Sequence, residues 1–124
     1  MDKKPVILVV DDDLPIIILM RSLLREFGFE AVTATNGAEA IEKAQQAQPE
    51  LILLDKNMPG MTCGEVIRGL REGNGGGRIP ILILSGEPLE GAELRELGAD
   101  AAVQKPFDIQ ALIAQIRSHL DRGA

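Results

Sequence analysis

The chain predicts an α/β fold in which a five-stranded parallel sheet is wrapped by helices on both faces, a doubly wound (βα)5 arrangement. Three observations lead there. Five short apolar runs alternate with segments of helical period, which implies βαβ units and parallel strands. Three of the runs are apolar at odd and even positions alike: Val6-Ile7-Leu8-Val9-Val10, Leu51-Ile52-Leu53-Leu54 and Ile81-Leu82-Ile83-Leu84. That pattern marks strands covered on both sides. Right-handed crossovers then wind such a sheet open, with helices on either face.

The elements follow in order. A strand over residues 5–10 leads to a helix over 14–27 that stops at Gly28. Taking Ile16, Met20, Leu23, Leu24 and Phe27 as its buried stripe places Leu14 and Ile18 on the far side, among Arg21, Ser22 and Arg25. A second strand covers 30–34, and Asn36-Gly37 opens a helix over 38–47 that stops before Pro49. The third strand, 50–54, precedes a helix over 64–72, which runs into Gly73 and a loop over 74–77 too glycine-rich for regular structure. A fourth strand over 79–84 is followed by a helix over 89–97 ending at Gly98. The fifth strand is 100–103, and the last helix, 109–120, aligns Ile109, Leu112, Ile113 and Ile116 on one face.

Composition narrows the function. With no Trp or Tyr and three Phe, the core is aliphatic and few rings are available to stack on bases or a flavin. A net charge of −6 opposes direct nucleic-acid binding, which needs a basic footprint. Cys63 is the single cysteine, so no internal disulfide forms and a reducing compartment fits. No apolar run approaches the roughly 20 residues of a membrane span, and the charged start of the chain lacks the form of a signal peptide. The expectation is one cytoplasmic domain over residues 1–124 with no membrane contact.

In an open α/β sheet, ligands bind outside the carboxyl ends of the strands. The first strand is followed by Asp11, Asp12 and Asp13, the third by Asp55, the fourth by Ser85, and the fifth, after Gln104, by Lys105. Only the second strand, an edge in the flavodoxin-like order 2-1-3-4-5, offers nothing ionisable. Acids, a hydroxyl and an ammonium therefore converge on one rim. Clustered carboxylates repel one another, and a divalent cation relieves that repulsion. Oxygen ligands suit Mg²⁺, which combines one or two carboxylates with a phosphate oxygen. Lys105 and Ser85 are suited to neutralise and hydrogen-bond the other phosphoryl oxygens. A carboxylate in such a site can attack phosphorus and become an aspartyl phosphate. Spacing alone leaves open which aspartate is the nucleophile.

Four blocks in order carry a resemblance: Val9-Val10-Asp11-Asp12, Leu53-Leu54-Asp55-Lys56-Asn57-Met58-Pro59-Gly60, Leu84-Ser85-Gly86-Glu87 and Lys105-Pro106-Phe107. The chain resembles, over essentially its whole length, the receiver domains of bacterial two-component response regulators, the chemotaxis type in particular. The resemblance implies that Asp55 is the phosphoacceptor and that a histidine kinase or histidine phosphotransfer protein is the donor. It implies Mg²⁺ held directly by Asp12, largely through water by Asp11, and by Asp55 and the backbone carbonyl of Asn57. Ser85 takes the switch role, Lys105 the counter-charge role, and a cis peptide precedes Pro106. Asn57, Gly86 and Glu87 stand where the phosphoform's lifetime is tuned, and chemotaxis-type receivers with the same Asn and Glu lose phosphate quickly. Such a domain catalyses only its own phosphorylation and dephosphorylation. Two departures stand out. Met61-Thr62-Cys63-Gly64 replaces the usual Met-Asp-Gly, and Ala102 occupies the place of a Tyr or Phe.

Asp13 reads as the N-cap or first-turn acid of the first helix. His119 reads as a solvated residue without a helical partner, and Cys63 as structural. Leu14 and Ile18 lie on a helix that starts beside the acids, where they can contact a phosphodonor protein. Two rivals share parts of this pattern. A haloacid-dehalogenase-type phosphatase would use Asp11 and Asp13 as its Asp-x-Asp, but Pro15 stands where Thr or Val belongs and the Asp55 block is left idle. A flavodoxin-type carrier would need a phosphate-cradling loop where this chain has three acids.

Overall fold

The apolar runs become five strands, β1 (Val6–Val10), β2 (Glu30–Ala34), β3 (Leu51–Asp55), β4 (Ile81–Ser85) and β5 (Ala101–Gln104). Between and after them lie α1 (Leu14–Glu26), α2 (Gly37–Ala47), α3 (Cys63–Gly73), α4 (Gly91–Leu97) and α5 (Ile109–Gly123). The computed structural model describes residues 3–73 and 78–123, so the glycine-rich loop over 74–77 lies outside the described residues. All pairings are parallel, in the order β2-β1-β3-β4-β5.

Prolines set two of the strand starts. Pro5 and Pro80 have no N–H to give a ladder, so β1 begins at Val6 and β4 at Ile81, later than the apolar runs suggest. The carbonyls of these prolines still accept, from Glu30 at 2.9 Å and from Ile52 at 2.9 Å. β3 and β4 also end one residue later than expected, which makes Asp55 and Ser85 the last residues of fully buried strands.

Alternation along the central strands divides the core in two. Ile7, Val9, Leu51, Leu53, Leu82 and Leu84 face α1 and α5, where they meet Ile17, Met20, Leu24, Leu112, Ile113 and Ile116. Leu8, Val10, Ile52, Leu54, Ile81 and Ile83 face α2 and α3, against Ala40, Ala44, Val66, Ile67 and Leu70. Each large side chain so removed from water contributes about 1.5–3 kcal/mol. The stripe of α1 differs from the expected one: Ile17 is buried with Met20 and Leu24, while Ile16, Leu23 and Phe27 are half-buried. Leu14, Ile18 and also Leu19 are exposed.

Caps and close contacts fix the helices. Asn36 caps α2 by accepting from the Glu39 amide at 2.8 Å. Before α3, Thr62 and Glu65 form a reciprocal capping box: the Glu65 amide donates to Thr62 Oγ1 at 3.1 Å and the Thr62 amide to Glu65 Oε1 at 2.8 Å. This is how the chain enters α3 with Thr62 in place of the usual Asp. α2 and α3 approach so closely that a Cβ on Gly37 would stand 2.7 Å from Val66 Cγ2 and 2.9 Å from Met61 Sδ.

α4 is held differently at its two ends. None of its side chains is fully buried. Near its C-terminal end, Leu94 and Leu97 lie half-buried against the α2–α3 core. The carbonyl of Gly98 just beyond accepts from Arg71 at 2.8 Å. Arg71 also donates to the Ile79 carbonyl at 2.6 Å and pairs with Asp100 at 3.2 Å. His119 corrects its expected role: it is half-buried, with Nδ1 3.0 Å from the Gln115 carbonyl one turn back.

Candidate functional site: an acidic cluster at the carboxyl end of the sheet

β1, β3 and β4 are central strands, and their ends deliver polar side chains into a place where backbone and core restrict water. Asp11 is 1 % exposed and Asp55 7 % exposed, whereas Asp12 points into solvent. One carboxylate oxygen from each of Asp11, Asp12 and Asp55 lies within 4.8 Å of the other two. Lys105, carried just past β5, donates from Nζ to Asp55 Oδ1 at 2.7 Å and stands 3.8 Å from Asp11 Oδ2. The peptide bond from Lys105 to Pro106 is cis.

The electrostatics follow from burial and crowding. Burial pushes the Asp11 carboxyl above its ordinary value, the charges of Asp55 and Asp12 push the same way, and the hydrogen bond from Asp13 and the Lys105 charge oppose them. Burial pulls the Lys105 ammonium down, but its bond to Asp55 and the charges of Asp55, Asp11 and Asp13 outweigh that, leaving its pKa raised. Lys105 is therefore firmly cationic. Asp11 Oδ2 is buried with no hydrogen-bond partner. A buried carboxylate oxygen without a donor, in a cluster of three carboxylates, fits a small divalent cation with oxygen ligands, and Mg²⁺ is the natural one.

The remaining residues flank this cluster. Ser85 is 2 % exposed, yet its hydroxyl is turned into its own loop, donating to the Glu87 carbonyl at 2.7 Å and accepting from the Glu87 amide at 3.1 Å. It is thus placed on the rim, but not bonded to Asp55. Asn57, Gly86 and Glu87 are exposed on the two loops beside it. Asp13 stands where expected, at the N-cap position of α1, but its side chain makes no cap bond, and Pro15 behind it removes one amide that a cap would use. Its own amide donates to Asp11 Oδ1 at 3.0 Å, which orients that carboxylate. Cys63 is buried at the start of α3, and burial pushes its thiol up to about 11, so it is inert as a nucleophile at neutral pH.

Two features escaped the sequence. Lys56, directly after Asp55, reaches across to Glu93 of α4 at 3.3 Å. No local pattern signals a pairing 37 residues apart. The Thr62-x-x-Glu65 box, by contrast, is a readable signature of a helix start.

A rim of this composition on a 2-1-3-4-5 parallel sheet defines a class, and residues 7–117 match the family of response regulator receiver domains. The chain belongs to that family, the receiver domains of two-component response regulators. It is 37 % identical over 120 residues to the Haemophilus influenzae transcriptional regulatory protein termed a CpxR homolog, covering 95 % of this chain and 51 % of that one. It is also 37 % identical over 121 residues to the phosphate regulon transcriptional regulatory protein PhoB of Rhizobium meliloti, covering 96 % of this chain and 53 % of that one. The chain thus spans about half the length of these relatives. Among solved structures, the Vibrio cholerae chemotaxis protein CheY4 superposes with a TM-score of 0.87 at 32 % identity, covering 94 % of this chain and 98 % of that one. Membership of this family sets aside both the phosphatase and the flavin-carrier readings. No helix among the described residues is long and apolar enough to cross a membrane.

Proposed function

We propose that this receiver domain, a single unit over residues 1–124, accepts a phosphoryl group on Asp55 from the phosphohistidine of a sensor kinase or phosphotransfer protein. One observation carries the reading: Asp55 ends the central strand with Lys105 on one of its oxygens at 2.7 Å and the carboxylates of Asp11 and Asp12 beside it. A carboxylate oxygen of Asp55 attacks phosphorus in line with the donor nitrogen. The new O–P bond forms as the P–N bond breaks, and the imidazole leaves with the electron pair and takes up a proton. Lys105, already cationic and in place, stabilises charge on the transferred group. Ser85 must leave Glu87 before its hydroxyl can donate to the phosphoryl group.

Asp11, Asp12, Asp55 and the backbone carbonyl of Asn57 would hold Mg²⁺. Bound there, it supplies neutralisation of the negative charge that otherwise keeps phosphate and carboxylates apart. The domain catalyses nothing beyond gaining and losing its own phosphoryl group. Asn57 and Glu87 flank the approach of a hydrolytic water, and Gly86 adds no side chain to shield it, so the phosphoform is short-lived for its family. The exposed Leu14 and Ile18 contact the phosphodonor protein. The free cysteine and the family fit a cytoplasmic setting, and the domain itself makes no nucleic-acid contact.

The test is phosphorylation by acetyl phosphate or phosphoramidate with Mg²⁺. Wild type should incorporate one phosphoryl group per chain, and Asp55→Asn none, since an amide is neither nucleophile nor anion. Full incorporation in the variant would sink the assignment.

A further inference from the structure

The connection between Asp55 and α4 contains a charge pair that the chemistry above does not use. Lys56 Nζ lies 3.3 Å from Glu93 Oε2. Glu93 sits in the first turn of α4, just after the half-buried Leu89 of the preceding loop, and among the described residues this is the only ion pair made from α4. At the other end, Leu94, Leu97 and the Arg71 bond to Gly98 anchor the helix. Lys56 is also tied to the sheet, its amide donating to the Leu84 carbonyl at 2.9 Å, so its backbone is fixed while its side chain is free to choose a partner. The side chains of Lys56 and Glu93 are 25 % and 46 % exposed, which makes the pair breakable, not structural.

We propose that Lys56 and Glu93 form a latch on the N-terminal end of α4, and that a phosphoryl group on Asp55 draws Lys56 away from Glu93 and frees that end. The proposal rests on Asp55 as the acceptor. A phosphoryl group adds negative charge one residue from Lys56, with oxygens that compete for an ammonium. Loss of Ser85 from Glu87 would act on the same segment, because the Glu87 loop leads directly into α4. The helix then pivots about its anchored C-terminal end. An exposed pair of this kind shifts an equilibrium by only about two- to fivefold, so the latch biases α4 and does not lock it.

The experiment measures amide hydrogen exchange across α4 in the full chain, with and without Mg²⁺ and beryllofluoride. In the unphosphorylated state, Lys56→Met and Glu93→Gln should each speed exchange at residues 94–96, whose amides bond the carbonyls at the start of the helix, by about two- to fivefold, with little change at 98 and 99. The doubly reversed variant, Lys56→Glu with Glu93→Lys, should restore the protection. In wild type, beryllofluoride should produce the same loss of protection, and in Lys56→Met a smaller further loss, the part that the Ser85 loop supplies. Exchange unaltered in both single variants, or an equal beryllofluoride effect with and without Lys56, overturns the latch. If beryllofluoride leaves even residues 55–61 of wild type unmoved, the acceptor assignment falls too, and the two failures are thereby told apart.

Discussion

Asp11 illustrates how a side chain placed for binding works against folding. Its carboxyl is buried, raised above the ordinary 3.8, and left with one oxygen unpartnered. The folded protein therefore binds the Asp11 proton more tightly than the unfolded chain does. By linkage, stability falls as pH rises from 3.8 through the raised folded value, above which the cost is fully present. Glu39 has the opposite sign. The Thr35 amide holds its carboxyl below the ordinary value, so its contribution is present above 4.5 and is lost as pH falls through the lowered one. Asp11→Asn should raise the melting temperature of the metal-free protein by roughly 2–6 °C, for about 1 kcal/mol in a domain of this size. The same change should abolish the stabilisation that added Mg²⁺ gives to wild type. Thermal melts with and without Mg²⁺ check both halves. A destabilised variant that still responds to Mg²⁺ would contradict the placement of the ion at Asp11.

α1 pairs a buried side with an apolar exposed one. Ile17, Met20 and Leu24 enter the core, while Leu14 and Ile18 are each 59 % exposed beside the acidic rim. Single exposed apolar residues are ordinary on any surface; two on the helix that rises from the site have a use if a phosphodonor docks there. Ile18→Asp should cut transfer from a phosphohistidine protein by about tenfold or more, the loss typical of a central interface residue. Its reaction with acetyl phosphate should stay unchanged. Equal loss in both assays would indicate a folding defect and remove Ile18 from the docking surface. The sequence could not choose the stripe of this helix, because Ile16, Ile17, Ile18 and Leu19 are all apolar and a 3.6-residue period fits more than one register through them.

In the molecule as a unit, the response to phosphorylation should be uneven. Ser85 is positioned to release its loop, and α4 follows that loop, whereas Ala102 on β5 has no rotamer to change. With beryllofluoride, the largest amide chemical-shift changes should fall at residues 55–61 and 85–97, with weaker ones at 101–103. A response centred on β5 and α5 with the Ser85 loop silent would refute this route. The parallel order, the buried central strands and the rim of Asp11, Asp12, Asp55, Ser85 and Lys105 were legible because strand burial and strand-end chemistry are local patterns. What was not legible is where single side chains settle. Ser85 turns to the backbone of Glu87 two residues on and His119 to the Gln115 carbonyl one turn back, choices that residue type alone does not fix, and the Lys56–Glu93 bond joins residues 37 apart.

The seam between α2 and α3 carries a last consequence. Gly37 has no functional group, yet Val66 of α3 and Met61, on the same loop as Asn57, fill the space its side chain would take. Any larger residue there becomes a wedge against α3 and against the loop that follows Asp55. The loop that carries Asn57 is thus seated against an empty position on a neighbouring helix, which a survey of reactive groups alone would never include.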